Sequence, residues 1–342
     1  MNKLTRILSI AGLAFTASVG MANADKLSEV KERGQLRCTA HNGSQPGFAQ
    51  IDQQGRWTGM DIDMCRVFAT AIFGSYEKHL DLVPISWAQR WPLLQSGELD
   101  VVIKQSGWTL ARDTELGFNI TRPYIMGTFQ VLAPKSLGVK SVKEMDGGTI
   151  CAPAGTTNER VISAFTANNG LKIELVSLEK WEELLSAYFE GRCDGIVGTA
   201  ATVAVSRMNA KNPDDHVILP DVLSVEGQSW FVKGGDDRFF DLANWALNVL
   251  WLAEQEGITA ANVDQFRAKP TTPEVSIMLG VTPGVGSRFG LPDDWAYNVI
   301  KLNGNYSEIW ERNIGMGSPF KLERGINALW KNGGIHYPVT FD

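Results

Sequence analysis

The chain has 342 residues, of which 44% are hydrophobic, and it carries a formal net charge of -6. This acidic balance disfavours nucleic acid as a partner, because a surface that binds phosphates needs clustered Lys and Arg. A chain of this length is large for one hydrophobic core, and we expect two lobes.

The first 24 residues have the pattern of a secretory signal peptide. Lys3 and Arg6 precede the apolar stretch 7–19, and the small-x-small sequence "ANA" follows at 22–24. A transmembrane anchor is the alternative, but a span needs roughly 18–20 apolar residues, and no stretch of the sequence is that long. We predict cleavage before Asp25 and a periplasmic mature chain, whose charge is -8 (-6 minus 2) without Lys3 and Arg6.

Short strand-like runs alternate with amphipathic helices along the rest of the chain, which is typical of open α/β sheets. The strand-like runs are "QLRCTA", "LDLVPIS", "LDVVIK", "TFQVLAP", "GTICAPA", "IELVSL", "CDGIVG" and "HVILP". Helices are predicted over 62–72, 90–95, 158–167, 180–190 and 237–256. In the tail that follows, "DDWAYNVIKLNGNYSEIWERNI" and "GINALWKNGG" predict two further helices that stop at glycines.

One unit occurs twice along the chain. "WPLLQSGELDVVI" and "ELLSAYFEGRCDGIV" both contain a helix, a Gly, an Asp and a buried strand, which suggests two similarly built lobes, although ordinary αβ turns produce the same pattern. "PYIMGTFQVLAPKS" and "LSVEGQSWFVKGG" are predicted to connect the lobes. We therefore expect lobe 1 over 25–127, lobe 2 over 128–227, and a return to lobe 1 with a C-terminal helical extension over 228–342.

Four cysteines form an even set, as in proteins of oxidising compartments. Pairing within lobes predicts the disulfides Cys38–Cys65 and Cys151–Cys193. A zinc site is the alternative, but the chain has no CxxC spacing and its four histidines are scattered.

Several motifs together resemble the family 3 periplasmic solute-binding proteins of ABC importers. They are "GRWTGMDIDMCRVFATAI", "LLQSGELDVVI", "RDTELGFNITRPY", "AGTTNE" and "GRCDGIV". The tail resembles the branch of this family that binds general L-amino acids. The resemblance implies two α/β lobes, joined by two strands, that close on a ligand in the cleft between them.

The resemblance also implies a role for the polar loop after "LDVVIK". In the family this loop lines the cleft, and it contains Ser106 and Gly107 here, while Arg112 corresponds to the arginine that binds the α-carboxylate of the ligand. A planar guanidinium offers a carboxylate two parallel charge-assisted hydrogen bonds, which lysine cannot copy. The alternative is a surface arginine paired with Asp113 or Glu115.

The motif "AGTTNE" is the second predicted anchor. Thr156 and Thr157 lie between a strand and a predicted helix, where free backbone N–H groups and the helix dipole favour a carboxylate. The alternative is an ordinary threonine N-cap.

Aromatic residues are expected to complete the cleft. The resemblance implies that Trp87 and Phe48 form its walls, and Trp108 and Trp230 are further candidates, although most tryptophans belong to the core or the rim.

Two positions depart from the family pattern on the side of the ligand's amine. The Ser or Thr that usually stands five residues before the arginine is Gly107, and the usual aspartate after "GRCD" is Thr199; a third, often acidic position corresponds to Asn42. A buried ammonium without an anionic partner is costly. We therefore hypothesise a carboxylate ligand whose amine is masked, absent or quaternary, the last resting against an aromatic ring. The alternative is that Glu226, Asp221 or an ordered water replaces the aspartate.

Three classes of function are compatible with such a chain. A dehydratase of a prephenate-like acid has a similar fold but needs an acid or base in the cleft. The loop 104–109 offers Lys104 but no carboxylate or histidine, and His41 is the other candidate. A sensory module usually continues into a membrane span and signalling domains. We expect a transport receptor rather than an enzyme, with no cofactor, metal, nucleic acid or stable membrane insertion, and with a small carboxylate ligand and a membrane permease as partners.

Overall fold

The computed structural model describes residues 25–342, so the predicted signal peptide at 1–24 lies outside the described residues. The strands in this range are β1 (Leu36–His41), β2 (Gln50–Ile51), β3 (Trp57–Thr58), β4 (Leu80–Ile85), β5 (Val101–Gly107), β6 (Phe118–Ile120), β7 (Ile125–Pro134), β8 (Thr149–Pro153), β9 (Glu174–Leu178), β10 (Gly195–Thr199), β11 (His216–Ile218) and β12 (Ser224–Lys233). The α-helices are α1 (Lys26–Arg33), α2 (Met60–Phe73), α3 (Arg90–Ser96), α4 (Thr157–Asn168), α5 (Trp181–Phe189), α6 (Ala200–Met208), α7 (Asp237–Gln255), α8 (Val263–Ala268), α9 (Pro273–Met278), α10 (Val285–Phe289), α11 (Trp295–Asn303) and α12 (Tyr306–Asn313). Within 25–342, no helix combines the length and the apolar character that crossing a bilayer requires.

The predicted two-lobed α/β architecture is confirmed. The main sheet has the order β4-β1-β5-β12-β7-β10-β8-β9, with β6 beside β12 and β11 beside β7. The strands β4, β1 and β5 are parallel in lobe 1, and β10, β8 and β9 are parallel in lobe 2. The predicted connecting strands β7 and β12 pair with each other between the two groups, so the sheets of the two lobes are continuous.

Each lobe has its own hydrophobic core. In lobe 1, α2, α7, α11 and α12 bury their apolar faces in one large cluster. In lobe 2, alternate strand residues serve opposite faces of the sheet: Leu132 and Cys151 belong to one cluster, and Val131 and Ile150 to the other. The helix α7, over Asp237–Gln255, thus packs in the same cluster as α2.

The disulfides are the predicted pairs. Cys38 of β1 is joined to Cys65 of α2, and Cys151 of β8 is joined to Cys193 just before β10. Each bond is buried and links two elements of a single lobe.

The repeated sequence unit has a structural cause. The Asp100 carboxylate, just before β5, accepts a hydrogen bond from the Arg37 backbone N–H at 2.8 Å. The Asp194 carboxylate, just before β10, accepts from the Thr149 backbone N–H at 2.8 Å. In each lobe an aspartate thus fixes the start of the neighbouring parallel strand, so the repeat reflects equivalent construction.

The C-terminal extension is only partly helical. The segment 293–314 forms α11 and α12, which Gly304 separates, but the predicted helix in "GINALWKNGG" is wrong, since this segment forms two short 3-10 turns. The first of these turns carries Asn327, whose side chain accepts a hydrogen bond from the Met126 backbone N–H at 2.6 Å and donates one to the Met126 carbonyl at 2.9 Å. The extension therefore holds β7 at the point where the chain leaves lobe 1.

Candidate functional site

A small cavity lined mainly by polar residues lies between the two lobes. It is bounded by the carboxyl ends of β5, β8 and β10 and by the first half of β12, which is where open α/β sheets place their ligand sites. The lining residues are Gln45, Trp87, Arg90, Gln105, Gly107, Arg112, Pro153, Thr156, Thr157, Asn158, Trp181, Thr199, Thr202, Glu226 and Gln228.

Arg112 is a buried cleft residue rather than a surface arginine. It lies in a single π-helical turn (Ala111–Glu115), and its Nη1 donates a hydrogen bond to the Gly107 carbonyl at 2.6 Å. Burial lowers the pKa of Arg112 to about 10, and the Glu226 carboxylate opposes this shift. Neither acidic residue of the predicted surface pair neutralises it; Asp113 instead accepts from Trp108 Nε1 at 2.9 Å. A buried guanidinium remains available to an anion in the cavity.

A second guanidinium, from Arg90, was not predicted. Its nitrogens donate to Trp87 O and Ser106 Oγ, both at 2.7 Å, and to Gly155 O across the cleft at 3.3 Å. Burial and the nearby Arg112 charge lower the pKa of Arg90. In the sequence Arg90 resembles an ordinary helix-surface arginine, and only the packing of α3 against β5 brings it into the cleft.

The N-terminus of α4 forms the lobe 2 side of the cavity. Thr156 is the N-cap residue by backbone conformation, but its hydroxyl donates to Pro153 O at 2.6 Å and makes no cap hydrogen bond. The Thr157 hydroxyl is buried without a hydrogen-bond partner. The predicted alternative of a threonine side-chain cap is therefore not observed, and the first turn of α4 faces the cavity with an unused hydroxyl.

A chain of amides and hydroxyls crosses the cleft. Gln105 Oε1 accepts from Gln45 Nε2 at 2.9 Å and from Thr202 Oγ1 at 3.0 Å, and Thr202 in turn lies 2.9 Å from Thr199 Oγ1. Gln105 has a φ of 36°, a left-handed backbone conformation that non-glycine residues rarely adopt outside constrained sites. Thr199 thus contributes a hydroxyl to this chain.

Several polar atoms that line the cavity lack any hydrogen-bond partner among the described residues. They are Gln45 Oε1, Gln105 Nε2, Thr157 Oγ1, Asn158 Oδ1 and Gln228 Oε1. An unsatisfied buried polar group costs about 1–3 kcal/mol, so such groups are normally paired. A polar ligand with both N–H donors and oxygen acceptors would form the missing hydrogen bonds with these atoms.

The cavity also contains a carboxylate, contrary to the premise that its amine side has lost all negative charge. Glu226 of β12 is 9% exposed and lines the cavity, whereas Asp221 binds Ser141 and the Val142 N–H elsewhere. Burial raises the pKa of Glu226, and the Thr157 hydroxyl and the Arg112 guanidinium oppose this rise. The Thr157 hydroxyl is close to the carboxylate without the geometry of a hydrogen bond.

The other predicted site residues have different surroundings. Trp87 lines the cavity, and Ser106 lies behind the wall, where it holds Arg90. Phe48 does not line the cavity; it is fully buried in the core of lobe 1, where its carbonyl accepts the Asp61 N–H. Of the further candidates, Trp108 is half exposed at the surface, Trp230 is in the core, and Asn42 lines a neighbouring cavity.

The two acid–base candidates lie behind the cavity wall. His41 Nε2 is 3.5 Å from the Asp61 carboxylate, which also accepts from the Tyr124 hydroxyl at 2.6 Å. Lys104 Nζ lies 4.5 Å from the centre of the Trp87 ring and has no hydrogen-bond partner in the described range. Burial raises the pKa of Asp61 to about 7 and lowers the pKa values of His41 and Lys104. Neither His41 nor Lys104 is among the residues that line the cavity.

Comparisons with known proteins agree with this geometry. Residues 38–253 match the model of the bacterial extracellular solute-binding proteins, family 3. The chain is 42% identical to the general L-amino acid-binding periplasmic protein AapJ of Rhizobium johnstonii over 98% of both chains. It is 37% identical to the glutamate/glutamine/aspartate/asparagine-binding protein BztA of Rhodobacter capsulatus over the full length of both. A periplasmic binding protein from Brucella ovis, solved with glutathione bound, is 39% identical and superposes with a TM-score of 0.87 over 93% of this chain and 99% of its own. These relatives are named as binding proteins rather than enzymes.

Proposed function

The chain belongs to the bacterial extracellular solute-binding proteins of family 3, and we propose that its ligands are amino acids or amino-acid-derived carboxylates, including small γ-glutamyl peptides. It is a solute-binding receptor of the type that serves ABC importers. The single observation that carries the ligand class is the buried Arg112, which has no ion pair in the described part of the chain and faces the unused hydroxyl and the helix start of lobe 2. Arg112 and Thr157 would hold the carboxylate of the ligand.

The lobes are held together around the cavity by direct contacts. Glu182 of lobe 2 accepts from the Ser44 backbone N–H at 3.0 Å, and Thr202 donates to Gln105 at 3.0 Å. Hydrogen bonds of this kind contribute only about 0.5–1.5 kcal/mol each. We therefore propose that the lobes part to admit the ligand and close on it before it passes to the permease. A dehydratase is the weaker candidate, because the relatives are named as binding proteins and because His41 and Lys104, the acid–base candidates from the sequence, lie behind Trp87; Glu226 is the one carboxylate among the described residues that line the cavity.

A thermal-shift screen tests the ligand class. The protein should be heated with L-amino acids, glutathione, and N-acylated, deaminated and betaine analogues, because a ligand at 100 times its Kd stabilises the fold by about 2.7 kcal/mol. We expect carboxylate-bearing compounds to raise the melting temperature by a few degrees. The corresponding primary amides, which lack the carboxylate charge, are the matched controls. A screen in which no carboxylate raises the melting temperature, or in which the amides do so equally, would contradict the proposal.

Location is a second proposal, supported by the periplasmic relatives. Expressed in a Gram-negative host, the protein should be recovered from the periplasm. Intact-mass spectrometry of that material should show a chain that begins at Asp25 and contains no alkylatable thiol, because both cysteine pairs are oxidised. A mass that includes residues 1–24, or four alkylated cysteines in the native protein, would disprove it.

A further inference from the structure

We propose that Glu226 accepts the amine of the ligand, and that position 107 is glycine to leave room for the Glu226 carboxylate. This inference rests on the proposed function and makes it more specific. It assigns the amine-binding role to a connecting strand, β12, rather than to Thr199 of lobe 2.

The geometry of Gly107 is the first step. A Cβ atom on Gly107 would lie 1.8 Å from Glu226 Cδ, and its three nearest neighbours would all be Glu226 atoms. The φ of Gly107 is outside the left-handed region, so its backbone does not need glycine. The absence of a side chain therefore serves the carboxylate that lies over this residue.

The second step is the placement of opposite charges around the same residue. Arg112 donates to the Gly107 carbonyl, while the Glu226 carboxylate occupies the side-chain position of Gly107. The two charged groups are neighbours but form no ion pair within 25–342, which leaves both available. An amino acid carries its carboxylate and ammonium on one carbon, so it needs an arginine and a carboxylate side by side.

The third step is the state of the carboxylate itself. Glu226 is 9% exposed and forms no ion pair within the described residues, although the Thr157 hydroxyl and the Arg112 guanidinium lie near its carboxylate. A buried carboxylate without a partner is unfavourable, and a ligand ammonium would supply both the charge and the N–H donors. The same region has unpaired acceptor oxygens on Gln45, Asn158 and Gln228, which suit a ligand with further N–H groups.

Thr199 completes the argument. It is the N-cap residue of α6, and its hydroxyl is already engaged with Thr202. Thr199 carries no charge, so it cannot replace the aspartate that binds the amine at this position in the family. Glu226 is the carboxylate among the residues that line the cavity.

A thermodynamic cycle, in which a protein variant is combined with ligands that differ in one group, tests the proposal. Calorimetry should compare wild type and Glu226→Gln with three pairs: L-glutamine and 4-carbamoylbutanoate, L-glutamate and glutarate, and glutathione and its deaminated analogue. The members of each pair differ only in the α-amine. We expect Glu226→Gln to weaken binding of the amine-bearing member roughly 10- to 100-fold, because its ammonium loses a charge-assisted hydrogen bond. Binding of the amine-free member should stay the same or become tighter, because repulsion between its carboxylates and Glu226 is removed. Glu182→Gln, at the rim contact with Ser44, is the matched control and should change both members by the same factor.

The outcomes separate this inference from the proposed function. Equal weakening of both members by Glu226→Gln would overturn the amine-binding role while the receptor function stands. Wild-type protein that prefers the amine-free members would also overturn it, and would support the hypothesis of a masked or absent amine. Failure of wild type to bind any member of the three pairs would overturn the inference and the proposed ligand class together.

Gly107 gives a second test that does not depend on Glu226→Gln folding well. Gly107→Ala should displace the carboxylate and weaken the amine-bearing ligands by a similar factor. In the Glu226→Ala background, where the clashing atoms are gone, the same change at Gly107 should cause no further loss. An additive loss in the double variant would show that Gly107 is required for another reason and would contradict the coupling.

Discussion

Replacing Arg112 with alanine should weaken carboxylate ligands by about 2–5 kcal/mol, which is roughly 30- to 4,000-fold in Kd. The large effect is expected because the carboxylate of the bound ligand would be buried and would lose its paired charge. Arg112→Lys should restore only part of the affinity, since an ammonium cannot make two parallel hydrogen bonds while also bonding to the Gly107 carbonyl.

Calorimetry with the best ligand from the thermal-shift screen measures this effect. Arg160→Ala is the matched control, because Arg160 is an exposed arginine on α4 whose charge acts on both Arg112 and Glu226 without lining the cavity. We expect it to change binding by less than about 1 kcal/mol. Affinity of Arg112→Ala within threefold of wild type would show that another group holds the carboxylate.

Removing the lobe 2 disulfide should cost about 4 kcal/mol of folding free energy. Cys151 and Cys193 are 42 residues apart, and a loop of that length loses about 4 kcal/mol of unfolded-state entropy when it is closed. The bond is buried in one of the two hydrophobic clusters of lobe 2, which are smaller than the main cluster of lobe 1. Lobe 2 should therefore unfold before lobe 1 in Cys151→Ala/Cys193→Ala. Urea denaturation followed by circular dichroism measures the change.

The other disulfide provides the comparison. Cys38 and Cys65 are 27 residues apart, and the same relation gives about 3.5 kcal/mol for Cys38→Ala/Cys65→Ala. That variant should weaken lobe 1, where α2 packs in the large core. If neither double variant shifts the denaturation midpoint, the bonds do not stabilise the fold as described.

Most strands could be predicted because each is a short apolar run between turn residues, but the two- and three-residue strands β2, β3 and β6 are too short to show such a run. The helices with a clear apolar stripe, such as 62–72 and 237–256, were found within two residues of their ends. In contrast, α6 was missed because "AATVAVSRM" is rich in β-branched residues, which favour strands locally, and only its packing beside β10 and β7 makes it a helix. The segment 325–332 has the apolar spacing of a helix but forms two 3-10 turns.

The site residues that could be predicted are those that belong to a recognisable local motif. Arg112 and Thr157 each stand in a local motif, and both line the cavity, although their roles remain proposals. Arg90 and Glu226 reach the cavity from elements over a hundred residues apart, and no local pattern records that distance. Phe48 was misplaced because an aromatic residue in a loop pattern does not show which side of the loop faces the core.

The two hydrogen bonds between Asn327 and Met126 have a consequence for the proposed opening of the lobes. A body that turns about a pivot moves least near the pivot, and because Met126 is held by Asn327, we expect the pivot on β7 to lie at Gly127, the next residue. Glu226 is the cross-strand neighbour of Gly127, so we expect it to keep its place beside Arg112 when the lobes part. Thr157, at the start of α4 in lobe 2, would instead move away from the cavity. The open receptor would then already present Arg112 and Glu226 side by side for the first binding of a ligand. Closure would add the contact with Thr157, which would determine the rate at which the ligand dissociates.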